Sequence, residues 1–275
     1  MKVLTAAQLA SYQRDGVLFP LPVLTAAEVA AGRAAVEELE ARLGGRPRPS
    51  DMGQPQLHFR WAHELATHPA VLDVIEDVLG PNILVHSASI FSKPPRSRSY
   101  VSWHQDGAYW GLAEPRLVSA WIALTESTVA SGCMRVIPSS HTRRTIPFIE
   151  SRLAPDNLLA SGLEVAVEVD ETHACEVELA PGEMSLHHVD IVHGSNPNAS
   201  AGKRIGFAVR YFAPEVRQTL AHHEVILARG RDDHHHYRLL AHPPAAGIEE
   251  GLMAQREFSR RWREFRLGPG ADRPG

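Results

Sequence analysis

The stretch RIGFAVRYF, residues 204–212, has the pattern of a β-strand. It is rich in β-branched and aromatic residues, and Arg204, Gly206, Ala208 and Arg210 alternate onto one face. Seven further runs of this kind precede it, separated by Pro, Gly, Ser and Asn: 83–92, 100–104, 117–124, 132–137, 165–169, 176–179 and 184–188. Eight short strands without intervening helices predict a double-sheet jelly roll or a similar barrel rather than an α/β fold.

Helix signals flank this β-rich region. Thr5 with Gln8, and Thr25 with Glu28, form capping boxes that start helices. The helices are predicted at about 6–16, 26–43, 69–79 and 250–266. We therefore expect a mainly β fold with flanking helices, as one domain over 1–275: a helical N-terminal part (1–80), a jelly-roll core (81–215) and a helical C-terminal extension (216–275).

Composition limits the classes of partner. The 275 residues include 28 Lys and Arg against 32 Asp and Glu, a formal charge of -4, which argues against a general electrostatic grip on nucleic acid. Two cysteines outside any Cys-x-x-Cys pair predict neither a disulfide framework nor a thiolate metal site. The polar residues early in the chain do not fit a signal peptide, and no run of 18 apolar residues follows. We expect a cytoplasmic protein without a membrane partner; its oligomeric state is not indicated.

The sharpest chemical signal is WHQDG, residues 103–107. On an extended segment His104 and Asp106 point to the same face and can bind one metal ion. His193, just after the predicted strand at 184–188, can supply a second imidazole. Two His and one carboxylate form the facial triad of non-heme Fe(II) oxygenases, which leaves three coordination positions for cosubstrate and oxygen.

Other histidines are weaker candidates among the 16 in the chain. The pair His188-x-Asp190 ends only three residues before His193, too close for an independent third ligand. His187 and His188 are interpreted as strand-end residues that hydrogen-bond around the site. Six histidines between 222 and 242 are expected to form a solvated surface patch.

A 2-oxoglutarate cosubstrate needs a cation for its distal carboxylate, and Arg204 is the candidate. It lies eleven residues after His193, at the start of the last predicted strand. Gly206 and Ala208 on the same face leave space for a ligand.

Three motifs in this order make the chain similar to the phytanoyl-CoA dioxygenase family of Fe(II)/2-oxoglutarate oxygenases. They are WHQDG at 103–107, GCMRVIPSSH at 132–141, and HGS at 193–195 followed by Arg204. The resemblance implies a double-stranded β-helix, that is, a cupin-like jelly roll. It also implies site residues: His104, Asp106 and His193 on iron, Arg204 and Ser195 on 2-oxoglutarate, Trp121 lining that pocket, and Gln105 near the cosubstrate.

The same resemblance implies an activity. An enzyme of this family uses Fe(II), 2-oxoglutarate and O2 to oxidise an unactivated C–H bond, and releases succinate and CO2. Halogenases of the family have a small residue in place of the carboxylate ligand, so Asp106 points to hydroxylation or a related oxidation. Two alternatives remain open: a jelly-roll protein that binds a metal or ligand without turnover, and a zinc-dependent hydrolase.

The expected substrate is a small metabolite. Cations near the predicted site would allow it to be anionic, for example a small phosphonate such as 2-aminoethylphosphonate. These cations are Lys93, Arg96, Arg98, Arg135, Arg143 and Arg144. Aromatic residues would instead suit a natural-product intermediate: Phe91, Tyr109 and Trp110. The loops at 46–56 and 140–162 are candidates for a lid.

Overall fold

Helices lie at both ends of the chain in the computed structural model. It describes residues 1–45, 52–107, 116–143, 148–150, 156–159, 163–166, 168–217 and 224–267. The helices are α1 (Ala6–Asp15), α2 (Ala26–Arg42), α3 (Arg60–Ala66), α4 (Pro69–Leu79) and α5 (Ile248–Leu267). Both predicted capping boxes are present, and α1 ends at Gly16 in the left-handed region, with φ 75°.

The strands form two facing sheets and a hairpin. They are β1 (Val17–Pro22), β2 (Ile83–Lys93), β3 (Val101–His104), β4 (Leu117–Ala123), β5 (Met134–Val136), β6 (Phe148–Glu150), β7 (Leu163–Val165), β8 (Cys175–Val177), β9 (Glu183–His188), β10 (His193–Ser195), β11 (Arg204–Phe212) and β12 (Ile226–Arg229). Within the described residues the major sheet has the order β1-β9-β4-β11-β2-β12, the minor sheet β3-β10-β5-β8, and β6 pairs with β7. Every described ladder is antiparallel, as a jelly roll requires.

Alternation along β11 divides the core into two layers. Ile205, Phe207 and Val209 are fully buried in a cluster that also holds apolar residues of the helices, such as Val36 of α2 and Ile75 of α4. On the other face, Ala208 joins a second cluster with residues of both sheets, which include Trp121, Met134 and Val177. The helices therefore cover the outer face of the major sheet, and its inner face packs on the minor sheet.

The sequence predictions of the β-core are confirmed for seven of the eight runs. The prediction at 165–169 is wrong except for Val165, the last residue of β7. The two parts predicted as helical also contain strands, because β1 and β12 extend the major sheet from the N-terminal and C-terminal parts. Residues 46–51 of the first predicted lid, much of the segment 140–162, and Tyr109, Trp110 and Arg144 lie outside the described residues.

Among the described residues, no helix is long and apolar enough to cross a membrane.

Candidate metal and cosubstrate site

The structure brings His104, Asp106 and His193 together. His104 ends β3, Asp106 follows two residues later, and His193 starts β10, where it lies opposite His104 in the antiparallel ladder. One potential ligand atom from each residue lies within 4.8 Å of the others, and all three residues are buried. The sheet register therefore places the predicted triad in position to share one ion.

Backbone contacts set the tautomers of both histidines. His104 Nδ1 lies 2.9 Å from the Ser102 carbonyl oxygen, and His193 Nδ1 lies 3.0 Å from that of Ile191. Because a carbonyl only accepts, each Nδ1 carries the proton and each Nε2 presents its lone pair. Burial, with repulsion from His104, lowers the pKa of His193 well below its usual value, which keeps that ring neutral. Neutral imidazoles and a carboxylate are ligands that suit Fe(II).

The Asp106 carboxylate is held by two strands of the major sheet. The Ser119 hydroxyl donates to its Oδ2 at 3.3 Å, and Arg210 Nε lies 3.7 Å from the same oxygen. Burial by itself would raise the pKa of Asp106, but the positive charge of Arg210 holds it well below its usual value. The group is therefore an anionic ligand at neutral pH.

Arg204 lies in the same cavity as the triad. The cavity is lined by Phe91, Val101, His104, Trp121, Met134, His187, His193, Gly194, Ser195, Arg204, Ala208 and Arg210. The Arg204 guanidinium is 4.4 Å from the centre of the Trp121 ring, and the residue is only 2% exposed. Within the described residues no carboxylate lies within salt-bridge distance of it. Burial lowers its pKa to about 10, so it remains a cation at neutral pH.

Gly206 allows the Trp121 ring to lie against the sheet. A Cβ at this position would come within 1.7 Å of the Trp121 ring. The absence of a side chain on Gly206 therefore sets the position of the ring that packs on Arg204.

Lys93, one of the cations expected near the site, is a buried lysine. It ends β2 opposite Arg204 and is 0% exposed. Its ammonium donates to Ser195 Oγ at 2.6 Å and to the carbonyls of Gly132 and Asn196. Burial and then repulsion from Arg204 lower its pKa to about 6. Since Ser195 Oγ accepts from Lys93, its own hydroxyl proton remains to be donated into the cavity. The register between β2 and β11 places Lys93 beside Arg204, and no local pattern in the sequence indicates this pairing.

Gln105 lies between two of the predicted ligands but on the other side of the segment. Its amide donates to the Asp190 carbonyl, and His188 Nδ1 accepts from the Asp190 backbone N–H. These contacts support the turn that leads to His193. His188 and Asp190 are not part of the metal cluster found among the described residues.

The remaining predicted cations differ in their environments. Arg96, Arg98 and Arg143 are exposed. Arg135 pairs with Glu171 and Glu176 and lies over the Trp103 ring. In the histidine-rich segment, 234–236 is exposed, as expected for a surface patch.

Sequence comparisons match this chain to known dioxygenases. The family model for phytanoyl-CoA dioxygenase (PhyH) matches residues 12–206. A probable alpha-ketoglutarate-dependent hypophosphite dioxygenase of Stutzerimonas stutzeri is 30% identical over 165 residues, 59% of this chain and 56% of that protein. An ectoine dioxygenase of Halomonas elongata is 27% identical over 225 residues, 73% of this chain and 68% of that protein. The chain thus spans little more than half of the first of these relatives.

A solved structure agrees over a longer part of the chain. The non-heme monooxygenase ThoJ, in its apo form, has a TM-score of 0.79 and 30% identity, and the match covers 94% of this chain and 96% of ThoJ. The ThoJ-Ni complex gives a TM-score of 0.74 at 28% identity, over 94% of this chain and 98% of that one. The predicted jelly roll is confirmed.

Proposed function

Because this chain belongs to the phytanoyl-CoA dioxygenase family, we propose that it is an Fe(II)- and 2-oxoglutarate-dependent dioxygenase of a small molecule. His104, Asp106 and His193 hold the iron. Arg204 and Ser195 bind the distal carboxylate of 2-oxoglutarate, Lys93 lies behind Ser195 and donates to it, and Trp121 lines that end of the cavity. The products other than oxidised substrate are succinate and CO2.

One observation carries the proposal: Arg204 is a buried cation without a carboxylate partner in the described part of the chain, in the cavity that also holds the triad. A buried charge is costly unless an opposite charge compensates it. A dicarboxylate supplies that charge, and its other end reaches toward the metal ligands. A barrel that only binds metal, or a zinc hydrolase, gives no reason for this arginine.

The residues divide the work between them. Bound iron supplies oxygen activation, driven by decarboxylation of the cosubstrate. Arg204 and Ser195 orient the cosubstrate by charge and hydrogen bonding, and the Trp121 ring excludes water from the guanidinium. Ser119 and Arg210 keep Asp106 in place beside His104 and His193, and these three residues together would hold the iron.

Hydroxylation is the proposed outcome, since Asp106 retains the carboxylate that the halogenases of the family lack. Small phosphonates and natural-product intermediates are the candidate substrates. We also propose that residues 1–275 form one domain in the cytoplasm. The pairing of β1 and β12 into the major sheet supports a single domain, because strands from both ends of the chain complete one sheet.

The test is an anaerobic titration of the metal-free protein with Fe(II) and 2-oxoglutarate, which form a visible charge-transfer band when both bind one site. We expect a band in the wild type, none in His193→Ala, and a band in Arg204→Met only at much higher 2-oxoglutarate. The absence of a band from metal-loaded wild type would overturn the proposal in favour of a binding barrel or a hydrolase. Substrate turnover that persists without O2 would favour the hydrolase.

A further inference from the structure

His187 is a buried histidine that the proposed iron and cosubstrate sites do not use. It lies on β9, lines the cavity and is 2% exposed; its ring centre is 4.9 Å from that of His193. Its Nδ1 has no hydrogen-bond partner within the described part of the chain. Because an unpartnered buried polar atom destabilises the fold, this nitrogen points to a partner that the described residues do not supply.

The neighbouring strands do not supply that partner. In the register of the major sheet, Val17 of β1 lies on one side of His187 and Ser119 of β4 on the other. Val17 is apolar, and the Ser119 hydroxyl donates to Asp106. A phenylalanine would fill a similar volume without the nitrogen, so packing alone does not explain a histidine here.

Charge in the cavity indicates the chemistry of the missing partner. Arg204 and Arg210 line it, and Lys93 contacts Ser195 at its wall. Asp106 supplies the carboxylate of the metal cluster found among the described residues. Fe(II) and dianionic 2-oxoglutarate cancel each other's charge. The two arginines carry two positive charges and Asp106 carries one negative charge, so one positive charge remains in the cavity even with Lys93 neutral. A second small anion would neutralise it.

We propose that His187 is a specificity-determining residue that donates a hydrogen bond to an anionic oxygen group of the substrate, a carboxylate or a phosphonate. The contact orients the substrate beside the metal ligands. Ala208, two strands away on the same inner face, has a small side chain and lines the same cavity. This inference rests on the proposed function, because the substrate is placed relative to bound iron and 2-oxoglutarate.

The experiment measures anion binding by calorimetry in protein loaded anaerobically with Fe(II) and saturating 2-oxoglutarate. The probes are methylphosphonate, acetate and the neutral acetamide. The variants are His187→Phe, His187→Asn and, as a matched control, His86→Phe. His86 is another buried histidine, which packs on Phe212.

We expect His187→Phe to weaken binding of the anion probe that the wild type prefers by about tenfold or more, as for a lost hydrogen bond to a charged group. The charge-transfer band and acetamide binding should stay unchanged. His187→Asn should recover part of the affinity through its amide N–H, and His86→Phe should bind as the wild type does.

Three results would overturn the inference: no anion binding by the wild type, equal binding by His187→Phe, or loss of the charge-transfer band as the probe binds. The last would place the probe at Arg204. A wild type without any band would refute the proposed function alone. The same titrations on metal-free protein would then decide whether His187 binds an anion.

Discussion

Arg210 and His104 lie against different oxygens of the Asp106 carboxylate. Its Nε lies 3.7 Å from Asp106 Oδ2, while His104 Nε2 lies 3.4 Å from Oδ1. Ser119 donates to the same Oδ2. Two adjacent strands, β4 and β11, thus fix one carboxylate oxygen and leave the other facing the histidines.

Replacing Arg210 should therefore weaken the metal site without removing a ligand. We expect Arg210→Met to lower Fe(II) affinity by about 10–100-fold, the usual effect of losing a partner of a metal ligand. Arg210→Lys should restore part of it. Equilibrium Fe(II) titration without 2-oxoglutarate measures this, with Arg204→Met as the matched control on the same face of β11. Equal losses in the two Met variants would contradict a specific role for Arg210.

Lys93 should make 2-oxoglutarate binding depend on pH. Its pKa is about 6 because of burial and of repulsion from Arg204. A bound carboxylate favours the charged ammonium and raises this pKa, so binding takes up a proton above about pH 6. Affinity for 2-oxoglutarate should then fall as pH rises from 6, and Lys93→Met should bind more weakly and lose that slope. Calorimetry in buffers of different ionisation enthalpy counts the protons, and no uptake by the wild type would disprove the linkage.

The same residue should affect stability without ligands. The folded-state pKa of Lys93 lies below the usual lysine value of 10.5. Between about pH 6 and pH 10.5 the unfolded chain therefore binds more protons, and Lys93 makes the free energy of unfolding rise with pH across that window. Denaturant titrations at several pH values should show a flatter profile for Lys93→Met. An identical profile would place the ammonium in water in the folded protein.

Gly206 should tolerate no side chain. In Gly206→Ala the new methyl group overlaps the Trp121 ring, and displacing the ring should destabilise the protein by about 1–3 kcal/mol. It should also raise the KM for 2-oxoglutarate, because Arg204 packs on that ring. Gly202→Ala is the matched control, since the nearest atom to its Cβ would be 4.0 Å away. Urea unfolding and steady-state kinetics compare the two, and equal behaviour would show that the ring moves without consequence.

Gln105 has two candidate roles: support of the segment at Asp190, and contact with the cosubstrate. If its contact with the Asp190 carbonyl is its function, Gln105→Leu should lower stability by about 1–3 kcal/mol and leave the Kd for 2-oxoglutarate unchanged. Cosubstrate titration followed by the charge-transfer band tests this. A large loss of 2-oxoglutarate affinity at full stability would instead support the role near the cosubstrate that the family resemblance implies.

The sequence predicted the long, regular elements of the fold well. Strands such as β2 and β11 carry many apolar residues, and their pattern does not depend on neighbours. β10 was missed because three residues, His-Gly-Ser, have no strand pattern and become extended only between β3 and β5. β1 was missed because it contains two prolines, which are tolerated at the edge of a sheet.

The site residues were predicted from short motifs, and those motifs include only some of the residues that the structure places at the site. The spacing of His104 and Asp106 predicted a shared face, and the structure places both beside His193. The roles of Ser119 and Lys93 depend on contacts with other segments, 13 residues away for Ser119 and 102 residues away for Lys93. Such contacts follow from the register of the sheets, which no local pattern in this chain specifies.

Strand β11 affects how an enzyme of this kind can acquire specificity for a new substrate. Arg204 and Arg210 are six residues apart on it, about 20 Å along an extended chain, and β2 and β4 pair with it on both sides. Backbone hydrogen bonds thus set the spacing between Arg204, the proposed cosubstrate cation, and Arg210, which lies against the proposed iron ligand Asp106. Connecting segments can be exchanged by evolution or by a designer while this spacing is inherited intact, so new substrates can be acquired without rebuilding the oxidising centre.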